Sequence, residues 1–142
     1  PIGLFDCHKR YLNQINAEKA TVFFKLAECK KYNKTFNIHN NKNMVRDFIP
    51  LNYVIEGLYN LTINKLENGK YILGSNNSFN VVESLINICE KYNINYNIVD
   101  PPDGVSLGYI MESKKTLRKL FNIDSIKVDI EDIFENQYLR LM

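Results

Sequence analysis

Few residues in this chain have the types and spacing that chemistry needs. The histidines are His8 and His39, and the cysteines are Cys7, Cys29 and Cys89. Cys7 and His8 are adjacent, and neighbours on a chain usually point apart, so surface or structural roles are expected for both. An odd, scattered set of cysteines with no CxxC or Cys/His spacing reads as reduced thiols, with neither a disulfide framework nor a metal site. The glycines stand at 3, 57, 69, 74, 104 and 108. They make neither GxGxxG nor GxxxxGK, so no turn that cradles the phosphates of a dinucleotide or nucleoside triphosphate is encoded. There is no GxSxG elbow. No histidine lies near an obvious nucleophile, although such partners meet only in the fold. Arg46–Asp47, in MVRDFIPLNYVIEGLYN (44–60), remains. A guanidinium can hold two phosphate oxygens at once; it can equally be half of a surface ion pair worth little. Adjacent strand residues point to opposite faces, which makes an Arg46–Asp47 pair geometrically poor.

The elements that must position these residues belong to one domain of 142 residues, with 45% hydrophobic and 24% charged content, ordinary for a globular chain. The net charge of +2, with no Lys/Arg run longer than two, argues against nucleic acid as a partner. No apolar run approaches the ~20 residues of a membrane span, and no signal peptide opens the chain, so no membrane partner and a cytoplasmic location are expected. The chain starts at Pro1, as a processed chain, a cloned domain or a fragment of a longer polypeptide would.

Along the chain, residues 1–16 read as a loop. Ala17–Tyr32 reads as a helix with Val22, Phe23, Leu26, Ala27 and Cys29 at helical spacing. KTFNI (34–38) and MVRDFI (44–49) read as strands around a polar turn. Pro50 ends the second, and Asn52 is placed to cap a helix reaching about Asn64, with Val54, Ile55, Leu58 and Thr62 on one face. YILG (71–74) is apolar enough for a strand buried on both faces. Asn80 and Glu83 form a capping-box pattern ahead of a stripe of Val82, Leu85, Ile86 and Cys89. INYNIVD (94–100) reads as a strand and PPDG (101–104) as a turn. Ser113–Phe121 is a short basic helix with Leu117, Leu120 and Phe121 inward. Asp129 caps a last helix carrying Ile130, Ile133, Phe134 and Tyr138. Alternating strands and helices point to an α/β domain with short parallel strands. No internal repeat is read.

Three segments in order, RDFIPLNYVIEGLYN, GKYILGSNNSFNVVESL and INYNIVDPPDGVSLGYIMESKKTLRKLF, resemble the spacing of extended short-chain dehydrogenases/reductases, the NAD(P)-dependent nucleotide-sugar epimerases, dehydratases and reductases. Pro1-Ile2-Gly3 is similar to the Pro-x-Gly after the sixth strand of their cofactor domain. The resemblance implies that residues 1–142 are a single C-terminal substrate-binding domain lacking the Rossmann half. The implied partners are a nucleotide-sugar and the missing N-terminal cofactor domain, with a homo-oligomer also in view. The family's Gly-rich loop and Tyr-x-x-x-Lys are absent, since no tyrosine here is followed by lysine four positions on. In that chemistry the Tyr is acid/base and the Lys lowers its pKa. The chain is therefore expected to hold no catalytic residue and no cofactor of its own, NAD(P) being implied for a full-length parent.

Carried over by resemblance, Arg46 falls on the arginine that contacts the substrate diphosphate. His39 falls near an aromatic that packs by the base, Asn37 and Ile38 on the strand whose backbone meets the base edge, and Tyr109 near the sugar. Asp47 is expected to support local backbone or a basic neighbour. Pro50 and Tyr53 depart from the family's His and second Asp. DPPDG (100–104) lacks a second phosphate-binding arginine. That departure keeps an alternative alongside: a non-catalytic regulatory or scaffolding module derived from the same fold.

Overall fold

The computed structural model describes residues 4–5, 21–41, 43–63, 68–104 and 112–142. In chain order the elements are β1 (Leu4–Phe5), α1 (Val22–Lys31), β2 (Phe36–His39), β3 (Val45–Asp47), β4 (Ile49–Pro50), α2 (Leu51–Ile63), β5 (Ser78–Asn80), α3 (Val81–Lys91), β6 (Tyr96–Val99), α4 (Lys114–Phe121) and α5 (Ile130–Leu141). The strands associate in three pairs: β1 with β4, β2 with β6, and β3 with β5. The first two pairs are parallel. This is the expected α/β class with short parallel strands. No helix among the described residues is long and apolar enough to cross a membrane.

The chain divides into two compact units. One holds the described residues of 4–5, 45–79 and 112–128; the other holds 21–44, 80–104 and 129–142. They are called the first and second units below.

The second unit is built on apolar periodicity. Thr21 caps α1 by accepting from the Phe24 N–H at 3.4 Å, and Phe23, Phe24, Leu26 and Ala27 are buried. Asn80 caps α3 by accepting from the Glu83 N–H at 3.2 Å, and Val82, Leu85, Ile88 and Cys89 are buried. Asp129 caps α5 by accepting from the N–H groups of Glu131 and Asp132. These oxygens satisfy donors that the first helical turn leaves without intrahelical partners. Phe134 is fully buried against the Tyr92 ring, with centroids 4.8 Å apart. Helices α1 and α5 pack on each other, and α3 packs on β2.

This unit contains a short repeat that the sequence reading did not detect. CKKYNKTFNI (29–38) and CEKYNINYNI (89–98) share Cys, Lys, Tyr, Asn, Asn and Ile. Each copy ends a helix and starts a strand. Asn33 and Asn93 sit at φ 51° and 52°, and the next residue's N–H returns to the Cys29 or Cys89 carbonyl at 2.9 and 2.8 Å. Asparagine tolerates this left-handed conformation, and the returning bond satisfies a last-turn carbonyl. The strand halves then pair in equivalent register, Phe36 with Tyr96, Asn37 with Asn97 and Ile38 with Ile98. The repeat is shorter than the 20–50-residue periods that identify repeat architectures, and it is hidden in a chain rich in Asn, Lys and Tyr.

The first unit departs further from expectation. MVRDFI is broken into β3 and β4 at Phe48. Helix α2 begins at Leu51, directly after Pro50, so Asn52 lies inside the helix and is not its cap. Proline's fixed φ suits it to a helix start, which moves the boundary forward. YILG is not a strand. The Ile72 N–H goes to the Thr116 hydroxyl at 3.2 Å and the Ser75 N–H to the Asp47 carboxylate at 2.8 Å. Side chains take the donors that a neighbouring strand would otherwise take. The small core comprises Ile49, Leu117 and Ile126, with Tyr53, Val54, Leu73 and Phe121 packed against it.

Candidate functional site

Arg46 is the central residue of β3 and is half-buried. Its Nη1 donates to the Val45 carbonyl at 2.8 Å. The next residue, Asp47, is 4% exposed. Its Oδ1 accepts from the Ser75 N–H at 2.8 Å and from the Ser75 hydroxyl at 2.6 Å. Asp47 thus supports the backbone of a residue 28 positions away, where local backbone or a basic neighbour was expected. The Ser75 carbonyl accepts from the Ile126 N–H, the Asn77 amide donates to the Ile126 carbonyl, and the Asn76 amide donates to the Asp124 carbonyl. Residues 75–77 are therefore a polar clip holding β3 to the segment after α4. Asp47 anchors the strand on which Arg46 stands.

Gly74 completes this clip. A methyl group there would lie 2.7 Å from Asp47 Oδ2 and 3.4 Å from the Ser113 hydroxyl. Both oxygens are buried without a hydrogen-bond partner. Sequence reasoning had no signal for this arrangement beyond the Ser113 and Asp47 residue types.

His39, Asn37 and Ile38 share β2 in the second unit, where burial alternates along the strand. Asn37 and His39 are exposed on one face, and Ile38, 1% exposed, joins the core on the other. The Phe36 N–H bonds the Asn95 carbonyl and the Asn40 N–H bonds the Val99 carbonyl. In a parallel ladder this phase turns the Ile38 backbone toward β6 and the Asn37 and His39 backbones toward the opposite edge. The His39 carbonyl accepts from the Asn41 N–H at 2.7 Å. The structure groups Asn37, Ile38 and His39 on one strand; Arg46 stands in the other unit, and Tyr109 lies outside the described residues.

Three of the described glycines, Gly57, Gly74 and Gly104, offer no cradle for a dinucleotide. Gly57 is buried in α2, Gly104 is in an open turn, and Gly74 faces a buried carboxylate, which repels phosphate. Burial pushes the Cys89 thiol up to about 11, which disfavours the thiolate that a nucleophile needs. Cys29 is raised by burial as well.

No family model and no curated protein matches the sequence. Solved structures do. The chain is similar to UDP-N-acetylglucosamine 4-epimerase from Methanobrevibacter ruminantium M1, with TM-score 0.71 and 16% identity over 99% of this chain and 45% of that one. It is similar to a UDP-glucose-4-epimerase from Stenotrophomonas maltophila holding NAD and formylated UDP-arabinopyranose, with TM-score 0.71 and 15% identity over 97% of this chain and 45% of that one. A third is RMD from Pseudomonas aeruginosa complexed with NADPH, with TM-score 0.67 and 11% identity over 97% of this chain and 46% of that one. The chain therefore spans less than half the length of the structures it matches, and its fold is that of their C-terminal half.

Proposed function

We propose that this chain is the substrate-binding part of an extended short-chain dehydrogenase/reductase acting on a nucleotide-activated sugar. The observation that carries this reading is the fold match to sugar-nucleotide epimerases along nearly the whole chain. Arg46 binds the diphosphate: the planar fork of a guanidinium matches two phosphate oxygens. Asn37 and His39 offer an amide, an edge backbone and an imidazole to a base, and Tyr109 contributes beside the sugar. Ile38 contributes through the strand it anchors. We assign the NAD(P) of the parent protein to another part of the polypeptide, because no GxGxxG or GxxxxGK turn is encoded here, and no redox step is assigned to these residues. The chain binds and orients, and Asp47 holds the strand that does so.

Calorimetric titration of UDP-, GDP-, dTDP- and ADP-sugars into the polypeptide that carries this chain tests the reading. One nucleotide is expected to bind, and Arg46→Ala to weaken it ten- to a hundredfold, the size of a charge-assisted contact. Unchanged affinity in Arg46→Ala overturns the assignment. The rival reading, a regulatory or scaffolding module, draws on the lone arginine and the arginine-free DPPDG turn. It is favoured if the reading frame upstream lacks both a Gly-rich loop and a Tyr-x-x-x-Lys.

A further inference from the structure

The chain is rich in asparagine, and an asparagine carries its own electrophile. The backbone nitrogen of the next residue can attack the side-chain amide carbon Cγ, expel ammonia and close a five-membered succinimide. Three conditions must meet. The following N–H must be free of a hydrogen bond, the side-chain amide must be free to turn, and the backbone must be able to bring the two together.

The fold withholds these conditions at one asparagine after another. The N–H after Asn33 is held by the Cys29 carbonyl at 2.9 Å, and the N–H after Asn93 by the Cys89 carbonyl at 2.8 Å. The N–H after Asn43 goes to the Asn41 carbonyl and the N–H after Asn80 to the Met44 carbonyl. Asn76 is held twice. The Asn77 N–H that follows it donates to the Ser75 hydroxyl at 3.1 Å, and its own amide donates to the Asp124 carbonyl at 3.1 Å. Asn77 precedes a small residue, Ser78, but its amide donates to the Ile126 carbonyl at 3.1 Å and Ser78 opens β5. Asn52 and Asn60 lie inside α2.

Asn68–Gly69 is the opposite case, and it is the one Asn-Gly pair in the sequence. Both residues and Lys70 after them are exposed, in a bend that belongs to no helix or strand. Among the described residues no hydrogen bond engages the Gly69 N–H or the Asn68 amide. Glycine has no Cβ to shield its nitrogen, and it gives the backbone its widest range of φ and ψ.

We propose that Asn68 is a self-modification site, converted without an enzyme to aspartate and isoaspartate. The Gly69 nitrogen bonds to Asn68 Cγ, the Cγ–Nδ2 bond breaks, and the proton lost from the Gly69 N–H leaves with that nitrogen as ammonia. One water then opens the succinimide. Cleavage of the new Cγ–N bond gives aspartate. Cleavage of the original peptide bond gives isoaspartate, whose main chain runs through Cγ and is longer by one carbon. Nothing is oxidised or reduced. Either product puts a carboxylate where a neutral amide stood and lowers the formal net charge from +2 by one. The inference rests on neither Arg46 nor any nucleotide-sugar.

The test is prolonged incubation, at neutral pH, of the folded polypeptide that carries this chain, followed by isoelectric focusing and by peptide mapping with an isoaspartate-specific methyltransferase. An acidic form is expected to accumulate, with isoaspartate mapped to Asn68 while Asn76 and Asn77 stay intact. Gly69→Ala should slow conversion by about tenfold or more, because its methyl group shields the nitrogen and narrows the backbone. In denaturant Asn77 should begin to convert as well, since the bond to Ile126 that protects it is lost. An Asn68 that stays intact in the folded protein overturns the proposal. So does conversion of Asn76 or Asn77 alongside Asn68 in the folded protein, or an acidic form that persists in Asn68→Ser.

Discussion

The two units of this chain solve the same problem with different materials. In the second, the buried side chains are apolar, from Phe23 and Leu26 to Ile133 and Phe134, and its helices carry side-chain caps. In the first, the core is small, and the buried polar side chains of the described residues, Asp47, Ser75, Ser113 and Thr116, are all found there. That unit also wears an apolar stripe outside. Large apolar side chains are exposed in both units: Ile55, Leu58, Tyr59 and Ile63 in the first, and Tyr32, Ile98, Leu139 and Met142 in the second. Hydrophobic burial is non-directional and tolerates one pattern of side chains per helix face. The clip around Asp47 depends on individual hydrogen bonds, each weak in net terms but costly to leave unmade.

Substitutions at the two centres sharpen the contrast. Phe134→Ala removes the largest fully buried side chain and is expected to destabilise the second unit by about 3–5 kcal/mol, read by denaturant unfolding. Asp47→Ala leaves the Ser75 N–H without its acceptor in a buried setting, and the Ser75 hydroxyl with the Asn77 carbonyl at 3.1 Å, an expected loss of about 2 kcal/mol. Asp47→Asn keeps one acceptor oxygen and should cost about 1 kcal/mol or less. Equal losses for Ala and Asn would show that charge, not hydrogen bonding, holds the clip, and would break the comparison.

A smaller effect follows from Cys89, 1% exposed in the apolar unit. Burial raises its thiol from 9.0 to about 11. The folded chain therefore keeps its proton where the unfolded chain loses it. The contribution is complete below pH 9.0 and is lost as pH rises from there through about 11. Wild-type stability should fall across that window by up to about 2 kcal/mol more than that of Cys89→Ala. Parallel pH profiles for the two proteins would remove Cys89 as a cause.

The finest comparison is between two glycines of the first unit. A methyl at Gly74 would stand 2.7 Å from Oδ2 of a carboxylate whose other oxygen is fixed by two hydrogen bonds, so Gly74→Ala is expected to lose about 1–2 kcal/mol. At Gly57 the nearest atom, at 3.0 Å, is the end of the flexible Leu73 side chain. The gain of about 0.5–1 kcal/mol in helix propensity there offsets the crowding, and Gly57→Ala should be close to neutral. Thermal melts of both variants check this, and a larger loss at Gly57 would mean that α2 packs more rigidly than Leu73 allows.

Much of the second unit was legible in advance because helix caps and apolar periodicity are local. Asn80 with Glu83, Asp129 ahead of Ile130, and Val82, Leu85 and Cys89 of the expected stripe needed nothing beyond a few neighbours in the chain, although Ile88 is buried where Ile86 was expected. The first unit was misread where satisfaction came from far away. YILG has the composition of a buried strand, yet the Ile72 N–H is taken by Thr116 and the N–H of Ser75, just after it, by Asp47. Asn52 has the chemistry of a cap, yet Pro50 starts the helix before it.

What the sequence by itself determined is the alternation of elements, the caps, the absence of a phosphate-cradling glycine turn and of Tyr-x-x-x-Lys, and the singling out of Arg46. These depend on residue type at short separations, which a chain carries whatever its fold. Only the tertiary structure decided that Asp47 turns inward to Ser75, that the repeated Tyr-Asn turns bring Phe36–Ile38 into register with Tyr96–Ile98, and that the apolar stripe of α2 faces outward. A hydrogen bond across 28 residues, a strand register across 60 and the choice between two apolar faces of one helix leave no mark on local pattern. They are set by which distant surface arrives to meet them.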